Sequence, residues 1–424
     1  MALFGRSKPE TAPAAAPLPS LVTPPPAAGP RSVDEQREQL LAGVTSLRPF
    51  GIGLLDAVGL TLCESIESDI DLPVCTTAKV DGWAVRGSNL VGASPHHPVR
   101  VPVVGEIDMI GFRAAPLMPG TVVKVTAGAP VPEGADAVVP LAEATEFEDE
   151  VEFTAEAVFQ QKLVLAGSRL SDGDALLASG TVLDARAIGL LAEVGIDKVL
   201  ARPKPRVVVA SVGADLVDPG LPLERLHQVY DAGTPLLAAA ARGDGAQVFP
   251  IGILPAEPAA LRRMLSDQLL RADLILLVAE VTPGLSDVLG ELGTVDETPI
   301  AMHPAGPGLF ALVGDDKVPV LVLPREGAAA YIGYQVFGQP LIRKLVGLDA
   351  ERPRVSAPVT RELTVDPAAT NYLLGRATER GIEPVSGDEP TLIDLAGADT
   401  LIVVGPGVAE VPAHHDVTAW PLQG

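Results

Sequence analysis

The spacing of apolar positions changes period along the chain, and each change marks a new kind of element. Ser32, followed by Val33, Asp34 and Glu35, has the form of a helix start, a capping serine with Glu35 three residues on, and a helix is predicted from there to about Leu47. A second apolar-periodic piece, Leu54 to Leu62, leads into Glu64–Asp69. After Pro73 the pattern shortens to strand-like runs, Val101–Val104, Val122–Val125, Ala137–Leu141 and Val151–Phe153, punctuated by Gly and Pro. This reads as a β-rich domain with hairpins. The chain leaves that domain around Gly167–Gly180, with Asp172-Gly173 as a turn. A helix over Ala185–Val194 follows and ends at Gly195.

Beyond Pro203 strands and helices alternate. Strand Val207–Ala210 precedes helix Pro235–Arg242, strand Val248–Ile253 precedes helix Glu257–Arg271, and strand Leu274–Val278 comes next. Strand Val318–Leu323 then leads to helix Ala328–Leu345. That alternation predicts a parallel sheet covered on both faces. After Gly347 helices stop, and short runs such as Leu401–Val404 and Val417–Trp420 predict a closing β domain. The stretch Ala272–Asp287 is central. A buried strand, a turn with Pro283 and Gly284, and a helix start are how α/β sheets build ligand sites at their carboxyl ends. The turn is wrong for a phosphate, because Glu280 stands where such a loop needs glycine.

Composition narrows the function classes. At 424 residues the chain is too long for one core, and 47% hydrophobic with 20% charged residues describes a globular protein. A formal charge of −23 argues against nucleic-acid binding, which needs a basic face. Cys63 and Cys75 alone point to a reducing compartment and to packing roles. The start, MALFGRSKPE, shows no apolar core of a signal peptide, and no apolar run approaches the length of a membrane span. A cytoplasmic location is therefore expected. Residues 1–31, rich in Ala and Pro, read as a tail that cannot bury a core. No metal-binding or nucleophilic constellation emerges elsewhere: His96-His97 and His414-His415 are adjacent pairs whose side chains diverge.

Several motifs then converge. Asp71-Leu72-Pro73 is followed by Val80-Asp81-Gly82-Trp83-Ala84-Val85-Arg86, then Gly105-Glu106, Pro119-Gly120, the run from Gly128 to Val139, and Gln228-Val229-Tyr230-Asp231. Together they resemble the signature of the MoeA-type molybdopterin molybdenumtransferases, the family that includes the E domain of gephyrin. The resemblance covers roughly residues 32–424. It implies an α/β plus β fold, an elongated homodimer with four subdomains. These would be a helical subdomain I (residues 32–72 and 166–202), an inserted β-rich subdomain II (73–165), a MogA-like parallel α/β subdomain III (203–347) and a C-terminal β-barrel subdomain IV (348–424).

The resemblance also implies a chemistry, molybdate insertion into adenylated molybdopterin. That reaction needs an open phosphate loop, acids for Mg²⁺ and cations for the oxyanion. Asp81, Asp215, Asp231 and Asp287 keep acidic positions, and Arg325 supplies a cation. The family's GGVSVG, however, is Ala279-Glu280-Val281-Thr282-Pro283-Gly284. The lysines of MKPGKP are His303 and Gly306, and LPGNP is Leu323-Pro324-Arg325-Glu326-Gly327. Replacing a lysine that would meet the oxyanion costs about 1.5–3 kcal/mol of binding. The site is therefore expected to be vestigial, with no cofactor. Mg²⁺ and molybdopterin enter only if the chain is a divergent molybdenumtransferase. The gephyrin-like side of the family, including the actinobacterial division proteins of the Glp type, implies a dimeric scaffold instead. Its expected partner is the C-terminal peptide of the tubulin-like FtsZ at the division septum, and a membrane receptor is a further partner of that class. The corresponding groove maps near Asp34, Arg37, Pro406 and Val411.

Overall fold

A computed structural model describes residues 29–109, 115–351, 353–387 and 389–422, so the tail expected over residues 1–31 lies almost wholly outside the described residues. The chain divides into two units. One comprises residues 1–45, 205–345 and 349–424, the other residues 46–204 and 346–348.

In the first unit a six-stranded sheet has the order Gln247–Leu254, Arg206–Val212, Leu274–Val278, Val318–Leu323, Leu309–Val313 and Gly293–Asp296. The first four strands are parallel, Leu309–Val313 pairs antiparallel with Val318–Leu323, and Gly293–Asp296 pairs antiparallel with Leu309–Val313. The parallel sheet expected from the alternation is thus a mixed one. Its two added strands lie between helix Pro283–Leu292 and strand Val318–Leu323, where no helical spacer announces a crossover. Every residue of Leu274–Val278 is buried, which is why its sequence shows no alternation. Leu261, Leu265, Leu285 and Leu289 pack from the flanking helices onto Ile275, Leu277, Val320 and Val322. The predicted helix 328–345 is continuous but contains a π turn, Tyr334–Gly338, between helices Gly327–Gly333 and Gln339–Leu345. Asp244 ties this segment to the preceding layer, accepting from the Tyr334 hydroxyl and from Gln339 Nε2.

The capping box at Ser32 and Glu35 forms as expected, but the helix ends at Ala42 rather than near Leu47. Gly43 closes it, its N–H returning to the carbonyls of Gln39 and Leu40. Arg31 anchors the start of this helix. Its backbone pairs with Pro299 and Ala301, and its guanidinium lies 2.6 Å from Asp296. This main-chain pairing joins the helix to the α/β and barrel segments rather than to residues 46–72.

The barrel sheet, also in this unit, has the order Met302–His303, Thr370–Thr378, Thr400–Val404, Asp416–Pro421 and Val355–Pro358, with Gly381–Pro384 beside Thr370–Thr378. A second ladder pairs Leu363 with Val411. One short helix, Leu392–Ala396, interrupts the expected all-β stretch. Thr391 and Asp394 cap it reciprocally, a signal too short to register as an apolar period.

The second unit holds another six-stranded sheet, in the order Ala137–Pro140, Gly82–Val85, Val122–Val125, Val99–Ile107, Glu150–Phe153 and Ala144–Glu146. Trp83, Val85, Val101, Val122, Val139, Val151 and Phe153 fill its core. Gly82 lies so close to the neighbouring strand that an added Cβ would sit 2.3 Å from the Val139 carbonyl oxygen. The motif glycine is required by strand packing alone. The other half of the unit packs the helix Ala185–Glu193 against strand Lys198–Arg202, flanked by Phe50–Gly53 and Thr61–Leu62. The apolar-periodic piece 54–62 forms a turn and then the short strand Thr61–Leu62. Gly59, at φ 78°, stops any helix there. Among the described residues no helix is long and apolar enough to cross a membrane.

Candidate functional site

The carboxyl ends of the parallel strands in the first unit carry most of the residues singled out from the sequence. Arg206–Val212 runs into Gly213-Ala214-Asp215, Leu274–Val278 into Ala279-Glu280, and Val318–Leu323 into Pro324-Arg325. The structure brings Asp215 and Arg325 together: Arg325 Nη2 donates to Asp215 Oδ2 at 2.7 Å, with both side chains about three-quarters buried. The hydrogen bond from Arg325 is the main reason the Asp215 carboxyl is held below its usual range, and His227 adds to that field from a distance. Neither partner was paired with the other from sequence, since 110 positions separate them.

Asp231 has a different task. It is buried, accepts from the Ser211 hydroxyl at 2.6 Å, and accepts from the Thr234 N–H at 3.1 Å. Ser211 and Thr234 also share a hydrogen bond at 3.0 Å. Asp231 thus ties the start of helix Gly233–Gly243 to strand Arg206–Val212. Gly233, where the family motif has asparagine, abuts Val278, with an added Cβ only 2.7 Å from that side chain. Ser211 and Thr234 are invisible to periodicity, because a buried hydroxyl pair has no repeating signature.

The turn after Leu274–Val278 is helix-capped by Thr282, which accepts from the Leu285 N–H at 3.3 Å, with Pro283 in the first turn. Glu280 and Asp287 are both exposed. His303 lies half-buried on the barrel strand Met302–His303, beside Thr370–Asn371. An added Cβ on Gly306 would meet the Met302 sulfur at 2.8 Å, so a side chain there would need that flexible methionine to shift. Asp81 belongs to the other unit. It accepts from the Ala127 N–H at 2.7 Å and so fixes the turn between Thr126 and Gly128.

A Mg²⁺ ion at these residues would require them to exchange the partners they hold. Asp215 is paired with a guanidinium and Asp231 is committed to internal donors. Among the described residues, no three His, Cys, Asp or Glu side chains are grouped to hold a metal ion. The cradle for a phosphate fares no better, with Glu280 in the turn and Arg325 already engaged.

Of the groove residues, Asp34 is exposed and forms a 3.4 Å ion pair with the largely buried Arg37. Tyr372, which no sequence motif singles out, lies within the field of both and of Arg354, and its ring packs 5.5 Å from that of Trp420. Burial pushes the Tyr372 hydroxyl well above its usual range. Pro406 is exposed, but Val411 is not: only 8% accessible, it sits in the barrel core among Leu363, Ile382, Ile402 and Val417.

The fold combines a mixed α/β sheet and a β sheet in one unit with further β sheets in the other. A family profile described as the MoeA N-terminal region (domain I and II) matches residues 31–195. Over 415 residues the chain is 31% identical to "Molybdopterin molybdenumtransferase 1" of Mycobacterium tuberculosis, covering 90% of this chain and 96% of that protein. It is 30% identical over 408 residues to "Molybdopterin molybdenumtransferase 2" of the same organism, covering 92% of this chain and all of that protein. Among solved structures, a molybdopterin biosynthesis MoeA protein from Pyrococcus horikoshii superposes with a TM-score of 0.84 at 22% identity, over 93% of this chain and all of that one. The chain belongs to the MoeA family.

Proposed function

We propose that this chain is a gephyrin-like scaffold on the MoeA fold, a homodimer whose molybdotransferase site is degenerate. Its partner is the C-terminal tail of FtsZ, bound in the cytoplasm at the division septum. One observation carries the reading: Arg325, the cation left at the strand ends where the family's oxyanion chemistry is expected, is occupied by Asp215 at 2.7 Å. Glu280 in the adjoining turn adds a second negative charge. A protein that keeps its fold while its charges close the cleft is suited to binding through another surface. Two copies of that surface would engage a polymer bivalently and gain avidity without new contacts. Calorimetric titration of the full-length protein with a peptide of its host's FtsZ tail tests this. Micromolar binding is expected, weakened by at least about tenfold in Asp34→Lys, which reverses an exposed charge of the groove. Absence of binding would remove FtsZ as the partner.

A second reading, a divergent molybdopterin molybdenumtransferase, has its own support. The names of the relatives at 30–31% identity speak for it more directly than they speak for a scaffold. In that reading Asp81, Asp215, Asp231 and Asp287 would serve a metal and Arg325 the oxyanion. The cost is that Asp215 and Asp231 must leave the partners they now hold.

A further inference from the structure

Asp215 follows strand Arg206–Val212, and Arg325 follows strand Val318–Leu323. In the sheet these two strands flank Leu274–Val278 on either side. An ion pair between them therefore reaches across the carboxyl end of the middle strand, where ligands of parallel α/β sheets collect. The loop bearing Asp215 is otherwise closed by its own backbone, with Val229 N–H donating to the Asp215 carbonyl and Asp231 N–H to that of Val217. The side-chain contact to Arg325 is thus an addition to a loop that already holds its shape. A guanidinium stays charged throughout the accessible pH range and presents paired donors that match a carboxylate or a tetrahedral oxyanion equally well.

From this juxtaposition we infer that Asp215 is an internal anion masking Arg325, so that the chain carries an autoinhibited site for a small tetrahedral dianion. The inference rests on the closed-cleft reading above and adds that closure depends on one carboxylate. Glu280 stands after the middle strand as a residual repulsive charge.

The test is calorimetric titration of inorganic phosphate into four full-length proteins: wild type, Asp215→Ala, Asp215→Asn and the double variant Asp215→Ala with Arg325→Ala. Circular dichroism checks that each is folded, and Asp215→Asn preserves the loop should the alanine variant be unstable. Both single variants are expected to bind phosphate at least about tenfold more tightly than wild type, because a competing charge-assisted hydrogen bond has been removed. The double variant is expected to lose the gain. Failure of both single variants to gain affinity would overturn the inference and leave the closed-cleft reading standing. So would a gain that survives without Arg325. Wild-type protein binding phosphate as tightly as Asp215→Ala, through Arg325, would overturn both.

Discussion

Val411→Asp is expected to destabilise the C-terminal barrel by about 4 kcal/mol, because it places a charge without a partner in an apolar core. Val411 pairs with Leu363 across a two-residue ladder and packs with Ile382, Ile402, Val404 and Val417. None of these neighbours offers a side-chain hydrogen-bond donor. The aspartate must ionise in a low-dielectric setting, take up a proton at a cost, or pull the ladder apart. Urea unfolding followed by the fluorescence of Trp420, itself in the barrel and buried, would show the early loss of this domain. An unchanged unfolding curve would return Val411 to the surface and to the groove. The distinction matters for reading binding data: a variant that loses a peptide because its barrel has melted does not locate the site.

Trp83→Ala carries the other large effect, about 3–5 kcal/mol, for loss of a fully buried aromatic ring and the cavity left behind. Trp83 is 1% accessible and lies on the strand next to the edge of the six-stranded sheet of its unit, between Val139 and Lys124 on either side. The Lys124 ammonium sits 5.5 Å from the ring centroid and would be left without that aromatic face. Guanidinium denaturation should show a lowered midpoint, and a midpoint within error of wild type would contradict the packing described. Trp83 belongs to the motif that identified the family. Its neighbours have comparable structural roles: Gly82 admits the next strand, Asp81 holds the turn at Ala127, and Asp136 accepts from the Gly87 N–H at 2.6 Å.

That explains what was legible in the sequence. The diagnostic runs from Val80 to Arg86 and from Gly128 to Val139 encode strand contacts and turns that the fold needs whatever the cleft does, so they disclosed the family. The strands Val122–Val125 and Val318–Leu323 were visible because a buried strand is a short, unbroken apolar run. The apolar spacing of residues 54–62 did not disclose the turn they form, which Gly59 allows through a positive φ. The strands Leu309–Val313 and Gly293–Asp296 escaped notice because their antiparallel pairings need no helical spacer and the edge strand, Gly-Thr-Val-Asp, has no apolar run.

In the site, substitutions were readable one position at a time, but partnerships were not. Arg325 was legible as a cation and Asp231 as an acid; that Asp215 lies against the first, and Ser211 and Thr234 against the second, was not. Val411 read as a groove residue because a single alternating position does not reveal which face of a barrel it occupies.

The most direct test of a closed cleft is the reaction itself: Mg²⁺-dependent insertion of molybdate into adenylated molybdopterin, measured with the full-length protein beside a Mycobacterium tuberculosis relative. A closed cleft predicts no product above the enzyme-free background while the relative turns over. Sustained turnover that is lost in Arg325→Ala would contradict it and establish the transferase reading.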